Sequence, residues 1–182
     1  SEREPFRRFR VDIRPEIVTF GHRQATQEEL DATMLSPSEW HHRFTADEPP
    51  IVVDLRNSYE TAVGTFKGAI DPKTDVFTEV PEFIERAKLP KDREILMYCT
   101  GGIRCEKALG FMLDKGYTKV RQLSGGILKY LEEFPNGAFE GECFVFDHRV
   151  SVDQNLEPSK RYVLCPHCGD PGDREVKCGN CG

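Results

Sequence analysis

Ile95-Leu96-Met97-Tyr98-Cys99-Thr100-Gly101-Gly102-Ile103-Arg104-Cys105 is the stretch on which the reading of this chain turns. A short apolar run ends in a cysteine. Two glycines, an arginine, a second cysteine and a helical pattern follow. This is the layout of a strand, a tight loop and a helix start, with Cys99 where the strand stops. Paired glycines let the loop curl with its amides inward. Inward N–H groups at a helix start form an anion nest. A cysteine facing such a nest has a lowered pKa and is a thiolate near neutrality. Two readings of Cys99 fit the residues: a reactive sulfur over the loop Thr100, Gly101, Gly102, Ile103 and Arg104, or an inert buried cysteine at a strand end. Arg104 either adds positive charge to the nest or turns outward and braces the loop.

Outward from the loop, strands and helices alternate. Ile51-Val52-Val53-Asp54-Leu55 is a β-branched run that reads as a buried strand. Asp54, Arg56 and Glu60 follow at its C-terminal end, the edge of an open α/β sheet where ligands bind. For Asp54 and Arg56 a structural ion pair is the simpler role. Ser36-Pro37-Ser38-Glu39 starts a helix with Ser36 as cap, Pro37 at the first position and Glu39 closing a capping box. Trp40 and Phe44 share one face of it. His41 and His42 read as surface or packing residues. Gly68-Ala69-Ile70 is a short strand cue, and Val80 to Ala87 a helix.

After Cys105, Ala108, Leu109, Met112 and Leu113 repeat at helical spacing up to Lys115-Gly116-Tyr117. Val120, Gln122 and Leu123 give another strand. Gly125-Gly126 then turns into a helix carrying Ile127, Leu128, Tyr130 and Leu131. The alternation predicts an α/β fold, three layers with a central parallel sheet covered on both faces. Asp54, Cys99 and the Gly125-Gly126 turn would converge on one edge.

The chain divides by composition into residues 1–22, 23–138, 139–163 and 164–182. The first segment is arginine-rich and reads as a linker or the remnant of a preceding domain. The second holds the α/β pattern. The third, with Phe139, Phe144, Val145, Phe146, Val150 and Val152, reads as an extension packed back on the domain. Within it, Cys143 reads as buried or half-buried, and His148 has no position assigned relative to the loop. The last holds Cys165-Pro166-His167-Cys168 and Cys178-Gly179-Asn180-Cys181, two Cys-x2-Cys pairs nine residues apart. Four soft donors at that spacing suit a structural, tetrahedral zinc at Cys165, Cys168, Cys178 and Cys181; a truncated cysteine-rich tail or a redox pair competes.

The 182 residues allow one good core with appendages. No apolar run approaches membrane-spanning length. Seven cysteines, four of them in the last 18 residues, suggest metal binding and free thiols in a reducing compartment, hence the cytoplasm. The net charge of −6 argues against broad nonspecific nucleic-acid binding and leaves room for a local basic patch.

Cys99 and Arg104 stand as Cys-x4-Arg. The phosphatase loop has one more residue and cradles a phosphoryl group. The shorter ring suits a single sulfur on Cys99, its persulfide anion stabilised by backbone N–H groups. A covalent route follows, in which the thiolate takes sulfur from a donor and an acceptor removes it. Cys105 either resolves that persulfide or packs in the first helical turn. There is no dinucleotide fingerprint and no His/Asp/Glu triad spaced for iron, so no nucleotide cofactor is implied.

Tyr98-Cys99-Thr100-Gly101-Gly102-Ile103-Arg104-Cys105-Glu106-Lys107-Ala108 resembles the active loop of a rhodanese domain. The resemblance narrows with Asp54-Leu55-Arg56-Asn57-Ser58-Tyr59-Glu60, Val63-Gly64-Thr65-Phe66-Lys67-Gly68-Ala69-Ile70, Gly125-Gly126-Ile127-Leu128-Lys129-Tyr130 and Cys143-Phe144-Val145-Phe146-Asp147-His148-Arg149-Val150. Together these resemble the oxygen-dependent tRNA uridine(34) hydroxylases over about residues 17–182. Members commonly carry Glu where His148 stands, and a small α/β domain before the rhodanese domain, of which the N-terminal residues here resemble only the last part. The resemblance implies a rhodanese-like fold, a catalytic Cys99, a second family cysteine at Cys105 and tRNA as partner. It also implies formation of 5-hydroxyuridine at position 34 with molecular oxygen as co-substrate. The N-terminal arginines would then contribute phosphate contacts. A sulfurtransferase moving sulfur from thiosulfate or a persulfide to a thiol or cyanide is the alternative.

Overall fold

Ile95 to Tyr98 is a strand buried on both faces, and this decides how the rest of the chain must pack. Ile95, Met97 and Cys99 face one apolar cluster while Leu96 and Tyr98 face the other. That is the alternation of a strand with a helical layer on each side. The computed structural model describes residues 13, 16, 18–169 and 171–173. Most of the arginine-rich segment, and Cys178 and Cys181, lie outside the described residues.

Along the chain come α1 (Gln27–Thr33), β1 (Met34–Leu35), α2 (Pro37–Phe44), β2 (Ile51–Asp54), α3 (Ser58–Thr61) and β3 (Gly64–Phe66). A 3-10 turn at Phe77–Glu79 leads into α4 (Val80–Ala87), then β4 (Ile95–Tyr98), α5 (Ile103–Asp114), β5 (Val120–Leu123) and α6 (Gly126–Glu133). Five short strands follow: β6 (Phe139–Gly141), β7 (Cys143–Phe144), β8 (Ser151–Val152), β9 (Tyr162–Leu164) and β10 (Pro171–Asp173). None of the helices among the described residues is long and apolar enough to cross a membrane.

The central sheet has the order β1-β5-β4-β2, every pair parallel. On one face Phe83 and Ile84 of α4 and Ala108, Leu109 and Met112 of α5 fill the core. On the other, Trp40 of α2 meets Ile127, Tyr130 and Leu131 of α6. His41 is a packing residue, as its position on the helix suggested. Its Nδ1 lies 2.8 Å from the Tyr130 hydroxyl and its ring stacks on Phe134. The Ser36–Glu39 capping box forms as expected.

Two features depart from the sequence reading. The strand expected at Gly68-Ala69-Ile70 is a single parallel bridge between Ile70 and Val53. Gly68 at φ +76° turns the chain on one side and Pro72 follows on the other, leaving one residue to pair. Helix α1 was not anticipated, although Thr26 and Glu29 close a capping box at its start. After α6 the chain returns: β6 pairs antiparallel with β3, and Phe139, Cys143, Val145 and Val152 join the second core cluster.

Candidate active site

Cys99 is the first residue past β4, and its surroundings are built by three chain segments that meet at the C-terminal edge of the sheet. Gly102 takes φ +97°, a left-handed conformation that a side chain would resist, and so turns its N–H back to donate to Cys99 Sγ at 3.1 Å. The backbone of Arg104 and Cys105, in the first turn of α5, also helps to lower the pKa of this sulfur, while the Cys105 N–H donates to the Gly102 carbonyl at 3.0 Å. The loop's carbonyls are disposed of elsewhere. Ile127 N–H donates to the Cys99 oxygen at 3.0 Å, and Leu128 N–H to the Thr100 oxygen at 3.2 Å. Amides therefore face the sulfur while carbonyls face α6. The close approach of α6 requires Gly126: a Cβ there would lie 2.5 Å from both carbonyl oxygens, and its φ is +65°.

Arg104 does not point into the nest. It turns to Glu60, which is wholly buried, and forms a bidentate pair: Nη1 donates to Oε2 at 2.6 Å and Nη2 to Oε1 at 2.8 Å. The Thr100 hydroxyl donates to Glu60 Oε1 at 3.2 Å, and Asn57 N–H to Oε2 at 3.1 Å. Of the two roles open to Arg104, the structure thus shows bracing, while its charge still acts on Cys99.

The electrostatics favour one thiolate and one thiol. The neighbouring Cys105 thiol does most to lower the pKa of Cys99. Burial opposes this, and the Arg104 charge and the backbone N–H groups reinforce it, so Cys99 is brought down to about 6. Burial first, and then the neighbouring Cys99 sulfur, push Cys105 well above the ordinary thiol range. Cys105 is thus fully buried in the first turn of α5, and the two sulfurs shift each other's pKa in opposite directions.

Asp54 and Arg56 take the structural role. Arg56 Nε donates to Asp54 Oδ1 at 2.9 Å and Nη2 to Oδ2 at 2.7 Å, both side chains being fully buried. Tyr98 O–H donates to Asp54 Oδ2 at 2.6 Å, and Arg56 Nη2 also reaches the Gly64 carbonyl at 2.6 Å. This network ties β2, β3 and β4 together beneath the site. Cys143 lies nearby, fully buried, its thiol pushed up to about 12 by burial. His148 is exposed on the turn between β7 and β8.

Above Cys99 opens a cleft of about 460 Å³. Thr100, Gly101, Ile103 and Arg104 form its base with Cys99, and Val18, Asn57, Phe77 and Phe146 its walls. The wall residues were not singled out in the sequence as site residues. Only position explains Asn57, which directly follows the Asp54–Arg56 pair. Phe146 carried one signal, a third aromatic in a run already supplying Phe144 and Val145 to the interior.

In the tail, β9 and β10 pair antiparallel around the first Cys-x2-Cys. Gly169 N–H donates to the Cys165 carbonyl at 2.9 Å, with Gly169 at φ +80°. Cys165 is buried and Cys168 exposed on this turn, which fits half of a zinc knuckle. Among the described residues no group of three or more His, Cys, Asp or Glu is gathered for a metal ion.

A strand-end thiolate held by the amides of a loop and helix start, on a four-stranded parallel sheet, defines a class of cysteine-centred α/β domains. Residues 36–133 match the family described as "Rhodanese-like domain", and residues 140–182 that described as "Rhodanase C-terminal". The chain belongs to the rhodanese-like family. Among similar proteins, one from Bdellovibrio bacteriovorus is 51% identical over 181 residues, covering 100% of this chain and 52% of its own length. One from Picosynechococcus sp. is 44% identical over 180 residues, covering 97% and 60%. Both are named tRNA uridine(34) hydroxylase. The chain spans 52% and 60% of the length of these two relatives. The solution structure of the rhodanese-like domain of an Anabaena sp. protein shares the fold. It aligns at a TM-score of 0.50 and 22% identity, covering 60% of this chain and 79% of that one.

Proposed function

We propose that this chain is the cysteine-bearing part of a tRNA-modifying enzyme that converts uridine 34 to 5-hydroxyuridine, with Cys99 as its catalytic residue. One observation carries the reading. Relatives 51% and 44% identical over nearly the whole chain bear that name, and the residues that hold Cys99 as a thiolate lie within the matched length. In this proposal molecular oxygen is the co-substrate, one of its atoms entering the base and the other leaving as water with two electrons from a separate reductant, tRNA is the partner, and the protein works in the cytoplasm. Cys99 presents a nucleophile at neutral pH, Cys105 holds the proton beside it, and Glu60 keeps Arg104 and Thr100 in register. The test is nucleoside mass spectrometry of tRNA from a strain deleted for the gene. Re-introducing the full-length wild-type gene restores 5-hydroxyuridine, and Cys99→Ser does not. Unchanged nucleosides in the deletion strain sink the reading.

The loop amides, led by the Gly102 N–H at 3.1 Å from Sγ, favour a second reading, in which the Cys99 thiolate attacks the outer sulfur of thiosulfate, displaces sulfite and is left as a persulfide. That reading requires a mass increase of about 32 Da (one sulfur atom) on Cys99 after incubation with the donor, absent in Cys99→Ser. The tail is proposed to bind one structural zinc through Cys165, Cys168, Cys178 and Cys181. Elemental analysis finding no zinc in protein purified without chelator contradicts this.

A further inference from the structure

Phe146 is 61% exposed, on the turn between β7 and β8 and at the lip of the Cys99 cleft. It is held there from two sides. Its ring meets Phe144 edge-on, with centroids 5.1 Å apart at 90°. The Arg104 guanidinium carbon lies over the ring at 5.8 Å from its centroid. Ile103, 43% exposed, and Phe77 extend the apolar lining. A large aromatic fixed in position yet left in water at the mouth of a reactive cleft is a surface awaiting a flat apolar ligand.

A second observation concerns hydrogen bonding. Asn57 also lines the cleft. Its Nδ2 donates to the Tyr59 hydroxyl at 3.1 Å, and its Oδ1 is buried without a hydrogen-bond partner. Asn57 precedes α3, where its side chain would ordinarily cap the helix. Instead Glu60 N–H donates to the Asn57 carbonyl at 2.9 Å, leaving Oδ1 unused. A buried acceptor without a donor calls for an explanation; because the Asn57 side chain lines the cleft, a rotation that brings Oδ1 to the cleft surface lets a ligand N–H satisfy it.

The geometry points to a base-recognition slot: Phe146 stacks on the face of an unpaired uracil, and Asn57 Oδ1 accepts its N3–H, seating the pyrimidine above Cys99. The inference rests on the tRNA reading and names the two residues that would select the base. Stacking on an exposed aromatic tolerates any base. The acceptor adds the discrimination, because uracil presents a donor at N3 where cytosine presents a lone pair. Thiosulfate, an anion without a flat face or an N–H, would use neither group.

Binding of the 182-residue chain to three RNA stem–loops tests it, identical except for U, C or an abasic residue at one unpaired loop position. The wild type is expected to bind the U loop about tenfold tighter than the abasic loop, in the range of base–aromatic stacking. Phe146→Ala brings that ratio below about twofold and Phe146→Trp keeps it. Asn57→Ala keeps the ratio of U to abasic but removes the preference for U over C. Equal binding of U and abasic loops by the wild type, no binding to any of the three, or a Phe146→Ala variant that weakens all three alike would each overturn the slot. If cellular 5-hydroxyuridine still depends on Cys99 in those cases, the slot alone fails. If it does not, the tRNA reading fails with it.

Discussion

At Cys99, burial alone would suppress ionisation, yet the thiol is brought down to about 6. The Cys105 thiol leads the opposing effects, so the second cysteine has a measurable task in the resting protein. Cys105→Ala removes the donor and should move the midpoint of Cys99 alkylation upward, lowering the rate at pH 6.5 several-fold. Cys105→Ser keeps an O–H donor and should move it less. An unchanged midpoint in Cys105→Ala would leave the lowering to Arg104 and the backbone. Asp54 makes a contrasting case. Asn at this position leaves Arg56 charged, buried and without its carboxylate. Breaking a buried pair from one side costs about 3–5 kcal/mol. Urea denaturation of Asp54→Asn should show a loss of that order, and a loss below about 1 kcal/mol would mean the pair is solvated.

Among the elements, the loop owes its shape to α6 as much as to its own glycines. Gly126→Ala puts a Cβ against two main-chain oxygens at 2.5 Å, with φ at +65°. The left-handed conformation alone costs about 1–2 kcal/mol. The collision cannot be relieved by a flexible side chain, so α6 must move and release the Cys99 and Thr100 carbonyls. The variant should be less stable by more than that conformational cost, and its Cys99 should alkylate with a higher midpoint. A variant with wild-type stability and midpoint would show that α6 does not hold the loop. Local chemistry made several elements legible. The Ser36 box, the apolar repeat of α5 and the β-branched run of β2 are short-range patterns with direct causes. The Thr26–Glu29 box is of the same kind and marks α1 equally well. The pairing of β3 with β6 has no such local signature, because its register follows from packing Phe66 against Phe139, 73 residues on, within the core.

Over the whole molecule, strand–helix alternation was enough to predict a parallel sheet with Asp54, Cys99 and the Gly125-Gly126 turn at one edge, and all three lie there. Charge pairing was not legible. Glu60 and Arg104 are 44 residues apart, and nothing local says that Arg104 turns from the nest toward a buried carboxylate. Phe146 was hidden for the opposite reason, since its apolar neighbours made it look like core. The fold can be stated as a device for one atom: β4 delivers the sulfur, Gly102 and α5 supply its N–H groups, α6 removes the carbonyls, and Glu60 locks the brace. The measurement that bears on this most directly is the pH dependence of Cys99 alkylation, read on its own peptide by mass spectrometry. Because the folded value is lowered, the rate should rise through a midpoint near about 6 and be level at neutrality. A midpoint near the ordinary thiol value of 9.0 would contradict the account.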